Sequence, residues 1–229
     1  MNKNTSLHKS FYTVSLFVIL LWLIKAWQTY YSIEIYQLGV KPQTLSGLIG
    51  VITGPLIHGS WEHVLSNSLP LVLLGGFLKY GYPRSHWLAI AIIWLLSGLG
   101  VWLFGRDSYH FGASGLTHGL FFYLFIAGIL RRDKRSSVLL MIAFYMYGSM
   151  VMTILPREQG ISFEYHLFGA MAGILSAILF RHWDPKLKEQ TYSWQQTDDS
   201  EDLIGDEWQS DNLNDSKELS SDEYKDSND

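Results

Sequence analysis

Apolar residues run along this chain in blocks too long for strands and too unbroken for the two-sided helices of a water-soluble domain. Six stand out: Phe11 to Trp27, His63 to Leu78, Trp87 to Phe104, Ser114 to Leu130, Val138 to Leu155 and His166 to Phe180. A helix needs roughly 17–25 mostly apolar residues to cross the hydrocarbon core of a bilayer. Each block therefore reads as one spanning helix, several short enough to be recessed inside a bundle. The connectors between them are brief and polar, which disfavours a series of buried soluble helices. The pattern predicts an all-α membrane protein with six transmembrane helices.

Composition alters this picture at the C-terminal end. From Glu189 onward, 14 acidic residues face only Lys217 and Lys225, with Ser, Asn and Asp filling much of the remainder. Such a segment buries too little apolar surface to offset its ordering entropy, so a disordered acidic tail is expected. Without it the chain carries 15 Lys and Arg against 7 acidic residues, a net charge of about +8. Three parts follow: a cytoplasmic N-terminus over 1–10, a six-helix core over 11–185 and the acidic cytoplasmic tail over 186–229. The first apolar run follows Lys3 and Lys9 as an export signal would, yet no small-residue cleavage site ends it, so it reads as a retained span. The chain has no cysteine, which excludes disulfides and thiolate metal sites.

Lys and Arg set the orientation, because they accumulate in cytoplasmic loops. With both termini inside, the inner face collects Lys3, Lys9, Lys79, Arg84, Arg131, Arg132, Lys134, Arg135, Arg181, Lys186 and Lys188. The outer side holds Lys41, Arg106 and Arg157, with Lys25 near its boundary. On that topology Ser114 and His166 both lie at outer helix ends.

Polar groups are concentrated at those same ends, in "HGSWEHVLSN", "GASG" and "EYHLFGAMAG". Ionisable groups at membrane depth usually face the bundle interior or a wet cavity. His63 and Asn67 share one helical face, as polar glue between helices or as part of a site. His58, in the preceding loop, suits a structural hydrogen bond. Ser114, flanked by Gly112 and Gly115, is either a helix N-cap or a hydroxyl beside an anion-binding helix start. His166, Gly169 and Gly173 lie on one face, so a small-residue strip runs below the imidazole, and Gly115 and Gly119 offer a matching strip. Packing of the two strips would bring His166 towards Ser114, the geometry of a base-activated nucleophile.

"GASG", the His and Asn of "HVLSN", and "GISFEYHLFGAMAG" together resemble the signature of the rhomboid intramembrane serine proteases. The resemblance covers about Phe11 to Arg181 and leaves out the tail. It implies a six-helix rhomboid-like bundle with a Ser–His dyad, Ser114 as nucleophile and His166 as base. It further implies an oxyanion site formed by the Ser114 N–H with His63 and Asn67, and Gly112 in the tight approach to the serine helix. His118 stands where relatives often carry an aromatic ring over the base, and could stack there or compete for the Ser114 hydroxyl. The Trp-Arg pair of some members is missing from the long first loop, so Trp61 and the segment Tyr31 to Ser60 would control lateral access differently.

The expected partners are transmembrane protein substrates and the lipid bilayer, without nucleic acid, metal or organic cofactor. The expected location is a bacterial inner membrane, both termini cytoplasmic and the active site opening outward. The principal alternative is a catalytically inactive rhomboid-like protein that binds transmembrane helices. A metal site built from His58, His63, His110, His118 and His166 is disfavoured, since no "HExxH" occurs and no acidic ligand lies within a span.

Overall fold

The structure is a computed structural model that describes residues 7–156 and 162–186. Apart from Lys186, the acidic segment therefore lies outside the described residues. Within them every regular element is helical. The long helices are α1 (Leu7–Tyr30), α2 (Trp61–Gly81), α3 (His86–Phe104), α4 (Ser114–Arg131), α5 (Lys134–Tyr147, continued by the 3-10 stretch Gly148–Ile154) and α6 (Phe163–Phe180).

Five helical segments are long and apolar enough to cross a membrane: α1, α3, α4, α5 with its extension, and α6. The six apolar blocks all fold as helices, but α2 falls outside that group despite its 21 residues. Glu62, His63, Ser66, Asn67, Ser68 and Lys79 dilute its hydropathy. The count of six spans is thus five by length and hydropathy among the described residues.

Sequence explains several helix ends. Ser60 caps α2 by accepting from His63 N at 3.1 Å, and Asp133 caps α5 by accepting from Ser136 N at 3.2 Å. Ser162 caps α6 through Tyr165 N at 3.3 Å. Each side-chain oxygen satisfies a donor that lacks an intrahelical acceptor.

α4 is the hub, packed against α2, α3, α5 and α6, and most of its length is buried. Its contact with α6 is made by glycine. A Cβ on Gly169 would collide with the Gly115 carbonyl, and one on Gly173 with the Gly119 carbonyl. The two backbones therefore touch, as the small-residue strips suggested. α1 and α5 lie at the periphery, with Leu16, Ile19, Leu23, Met141 and Tyr145 exposed. In water such a surface would drive association, whereas in hydrocarbon it meets its solvent.

The first loop is ordered by short helical turns at Tyr36–Leu38, Ser46–Leu48, Gly50–Thr53 and Gly54–Leu56. Val40 and His110 pair as an isolated antiparallel bridge, with both N···O distances 2.8 Å. Trp94 and Trp102 of α3 donate their indole N–H groups to Ile52 O and Thr44 O at 3.2 and 2.8 Å. The loop is thereby tied to α3 and to the backbone leading into α4.

Candidate active site

The N-terminal ends of α2, α4 and α6 converge on a cavity of about 790 Å³. Ser114, His63, Asn67, His118, Thr153 and His166 all contribute to its wall. Three helix N-termini at one place bring unpaired N–H groups and positive dipole ends together, which favours negative charge.

Ser114 is the first residue of α4, and the capping position belongs to Ala113, whose side chain makes no capping bond. The N-cap reading of Ser114 therefore does not hold. The backbone reaches it through Gly112 at φ +114°, a conformation that L side chains rarely adopt. A Cβ there would also lie 2.6 Å from the His63 ring, so the loop rests directly on that imidazole. His58 Nε2 accepts from Ala113 N at 3.4 Å, a structural role that agrees with the sequence reading. Burial first, and the neighbouring His63 second, lower the His58 pKa to about 4. His58 and His63 meet edge to face, with centroids 4.9 Å apart.

Asn67 is buried and donates its Nδ2 to His63 O one turn earlier at 2.9 Å, which orients the amide. Its second N–H is not used by that bond.

The histidines of α4 and α6 form the tightest feature. His118 and His166 stack with centroids 3.9 Å apart and planes inclined by 8°. His166 Nδ1 is 2.9 Å from the Thr153 carbonyl oxygen. A carbonyl can only accept, so Nδ1 carries the proton and Nε2 holds the lone pair. His118 Nδ1 faces the Ser114 carbonyl at 2.7 Å, which fixes its proton in the same way. Its Nε2 then accepts from Thr153 Oγ1, also at 2.7 Å, with Met150 O at 2.9 Å as the competing acceptor for that hydroxyl proton. Both His118 nitrogens are thus engaged away from the Ser114 hydroxyl, and the ring takes the stacking position rather than the competing one.

Thr153 escaped the sequence reading. It bonds both imidazoles, one through its carbonyl and one through its hydroxyl. The signal available was slight: a lone threonine in the apolar run "GSMVMTIL" at the end of a span. Glu164 is another buried group, within 3.4 Å of Arg106 Nε and 3.9 Å of His110 Nδ1. His110 also contacts Ser162 Oγ at 2.7 Å, so the start of α6 is fastened to the loop before α4. Burial lowers the His110 pKa despite the opposing Arg106 carbonyl and Glu164 carboxylate.

Comparison with known proteins shows the family. A family model for the rhomboid domain matches residues 45–183, which include every residue of the cavity wall discussed above. The chain belongs to the rhomboid family. An uncharacterized protein of Mycobacterium tuberculosis is 36% identical over 177 residues, covering 73% of each chain. A Bacillus subtilis protein provisionally named a rhomboid protease is 26% identical over 136 residues, 56% of this chain and 65% of its own. A mimivirus protein provisionally named a rhomboid protein is 27% identical over 146 residues, 60% of this chain and 78% of its own. With its long apolar helices, this rhomboid-family chain is an integral, multi-pass membrane protein. Rhomboid-family proteins act on membrane-protein substrates within a bilayer.

Proposed function

We propose that the protein is an intramembrane serine endopeptidase that hydrolyses peptide bonds in or next to transmembrane segments, with Ser114 as nucleophile and His166 as general base. The observation that carries this reading is the His166 tautomer. Thr153 O holds the proton on Nδ1, leaving a basic Nε2 on an imidazole that shares its cavity with the hydroxyl at the start of α4.

In the acylation step Ser114 Oγ forms a bond to the substrate carbonyl carbon while His166 Nε2 takes its proton. The imidazolium keeps its Nδ1–H on Thr153 O, so charge develops without a change of partner. The oxyanion is held by the Ser114 backbone N–H with His63 and the free Asn67 N–H, donors arranged before charge appears. Collapse breaks the C–N bond, and His166 passes its proton to the departing amine. Water then attacks the acyl ester, losing a proton to His166, and Ser114 leaves with that proton restored. Six spans, α2 included, with both termini cytoplasmic in a bacterial inner membrane, would open the cavity outward, as the Lys and Arg distribution favours.

An inactive helix-binding protein has the same fold, so the test is chemical. The purified chain is treated with a fluorophosphonate probe, and the labelled residue is identified by mass spectrometry. Labelling at Ser114 is expected, lost in Ser114→Ala and strongly slowed in His166→Ala. In cleavage of a transmembrane substrate both variants should fall to background, and the double variant should be no worse than either, because nucleophile and base act as a unit. Asn67→Ala should lose about 10²–10³-fold or less, the cost of one oxyanion donor. Turnover by folded Ser114→Ala would sink the proposal.

A further inference from the structure

A second cavity, of about 280 Å³, lies between α1, α2, α3 and α4, away from the candidate active site. Its wall is hydrocarbon and aromatic along most of its length, with Val14, Phe17, Leu71, Ile90, Trp94 and Leu120 among the lining residues. Its polar side chains, Thr13, Lys79 and His86, come from the start of α1, the last turn of α2 and the first turn of α3. Those three helix ends lie at one face of the bundle, so the polar groups collect at one end of an apolar slot.

Each polar group states what it lacks. Lys79 gives one of its three N–H donors to Thr13 Oγ1 at 2.6 Å and lies 5.4 Å from the centre of the Trp87 ring. No carboxylate pairs with it among the described residues. A lysine near a helix end at the rim of hydrocarbon reaches towards the interface, where anionic headgroups lie. His86 is 5% exposed, and its Nδ1 is 3.1 Å from the Tyr82 carbonyl, which fixes the ring proton there. Its Nε2 is therefore an acceptor, and it is buried without a partner. An unpaired acceptor in such a place requires a hydroxyl or N–H donor.

We propose that this slot binds one anionic phospholipid of the phosphatidylglycerol class, one of its two acyl chains entering along the apolar wall, its phosphate on Lys79 and a hydroxyl of the glycerol headgroup on His86 Nε2. Phosphate and hydroxyl on one headgroup meet both deficits. A choline headgroup offers no donor to His86, and an ethanolamine headgroup cancels the anionic charge. Basic pockets between helices at the cytoplasmic face suit anionic headgroups in general, and the preponderance of Lys and Arg puts this end of the bundle inside. The slot is also bounded by Leu116 and Leu120 of α4, so the lipid would pack behind the helix that starts at Ser114.

The test does not depend on proteolysis. The full chain is reconstituted in nanodiscs of equimolar phosphatidylglycerol, phosphatidylethanolamine and phosphatidylcholine, transferred to detergent, and its retained lipid weighed by native mass spectrometry. Phosphatidylglycerol should be retained over each of the others by about fivefold or more, the factor one lysine near an anionic headgroup supplies. Lys79→Gln should erase the preference over phosphatidylcholine. His86→Phe should reduce it, and Val14→Phe, which fills the slot and leaves both polar groups, should lower retention of all three lipids. Excess inorganic phosphate should leave phosphatidylglycerol bound, and its displacement would reassign the site to a free anion. Equal retention of the three lipids, or a preference unchanged in His86→Phe together with undiminished retention in Val14→Phe, would overturn the proposal even if Lys79→Gln does not fold.

Discussion

Thr153 serves two imidazoles at once, and its two functional groups can be separated. The carbonyl that fixes His166 survives any side-chain change, whereas the hydroxyl held by His118 does not. Thr153→Val should lower kcat by about tenfold at near-constant KM, the scale of one hydrogen bond, while Thr153→Ser should restore most of it. Equal rates for the two variants would reduce Thr153 to a wall residue. His118→Phe keeps a flat ring over His166 and leaves the Ser114 carbonyl its bond from Thr117 Oγ1 at 2.8 Å. It should therefore retain activity within about tenfold, whereas His118→Ala, which loses the stacking surface as well, should be markedly slower. Initial rates on one transmembrane substrate would rank all four variants. His118 was visible in the sequence as a departure at a known spacing. The partner of its Nε2 was not, because Thr153 lies on a different helix.

At the scale of elements, the site depends on how closely α4 and α6 approach. Gly169→Ala forces a methyl group onto the Gly115 carbonyl, next to Ser114, and should cost about 1–3 kcal/mol as overpacking does. Its melting temperature and kcat should both fall, while Met171→Ala on the exposed side of α6 serves as the neutral control. An unchanged rate in Gly169→Ala would mean that the helix separation does not set the dyad. The loop before α2 is joined to the start of α4 by His58, whose pKa is lowered from 6.5 to about 4. The unfolded chain then takes up this proton first as pH falls, so the stabilisation present above about pH 6.5 is lost progressively towards pH 4. The melting temperature should drop across that window, and His58→Gln should flatten the drop. Equal slopes for parent and variant would assign acid sensitivity to other groups.

For the whole molecule, the rhomboid-domain match ends at residue 183, ahead of the acidic segment. Deleting residues 190 to 229 should leave cleavage by the purified chain nearly unchanged, and a large loss of rate would give that segment a part in catalysis. The sequence by itself determined the helical class, the membrane environment and the strips of small residues, because hydrocarbon demands long apolar runs and close backbones demand glycine. It also carried the polar residues of the cavity, since side chains so costly in lipid stand out in an apolar run. The apolar pattern counted α2 with the spanning helices, because its polar residues fall mostly in the first two turns, Glu62 to Ser68, and an apolar run from Leu69 to Leu78 follows them. Only the tertiary structure decided that Ser114 is not a cap, that His118 turns both nitrogens away from the serine hydroxyl, and that Thr153 fixes the proton of His166. The two bonds of Thr153, to His118 Nε2 and to His166 Nδ1, join residues distant in the chain. Such bonds follow from the packing of α4, α5 and α6 against one another and leave no local pattern along any one of them.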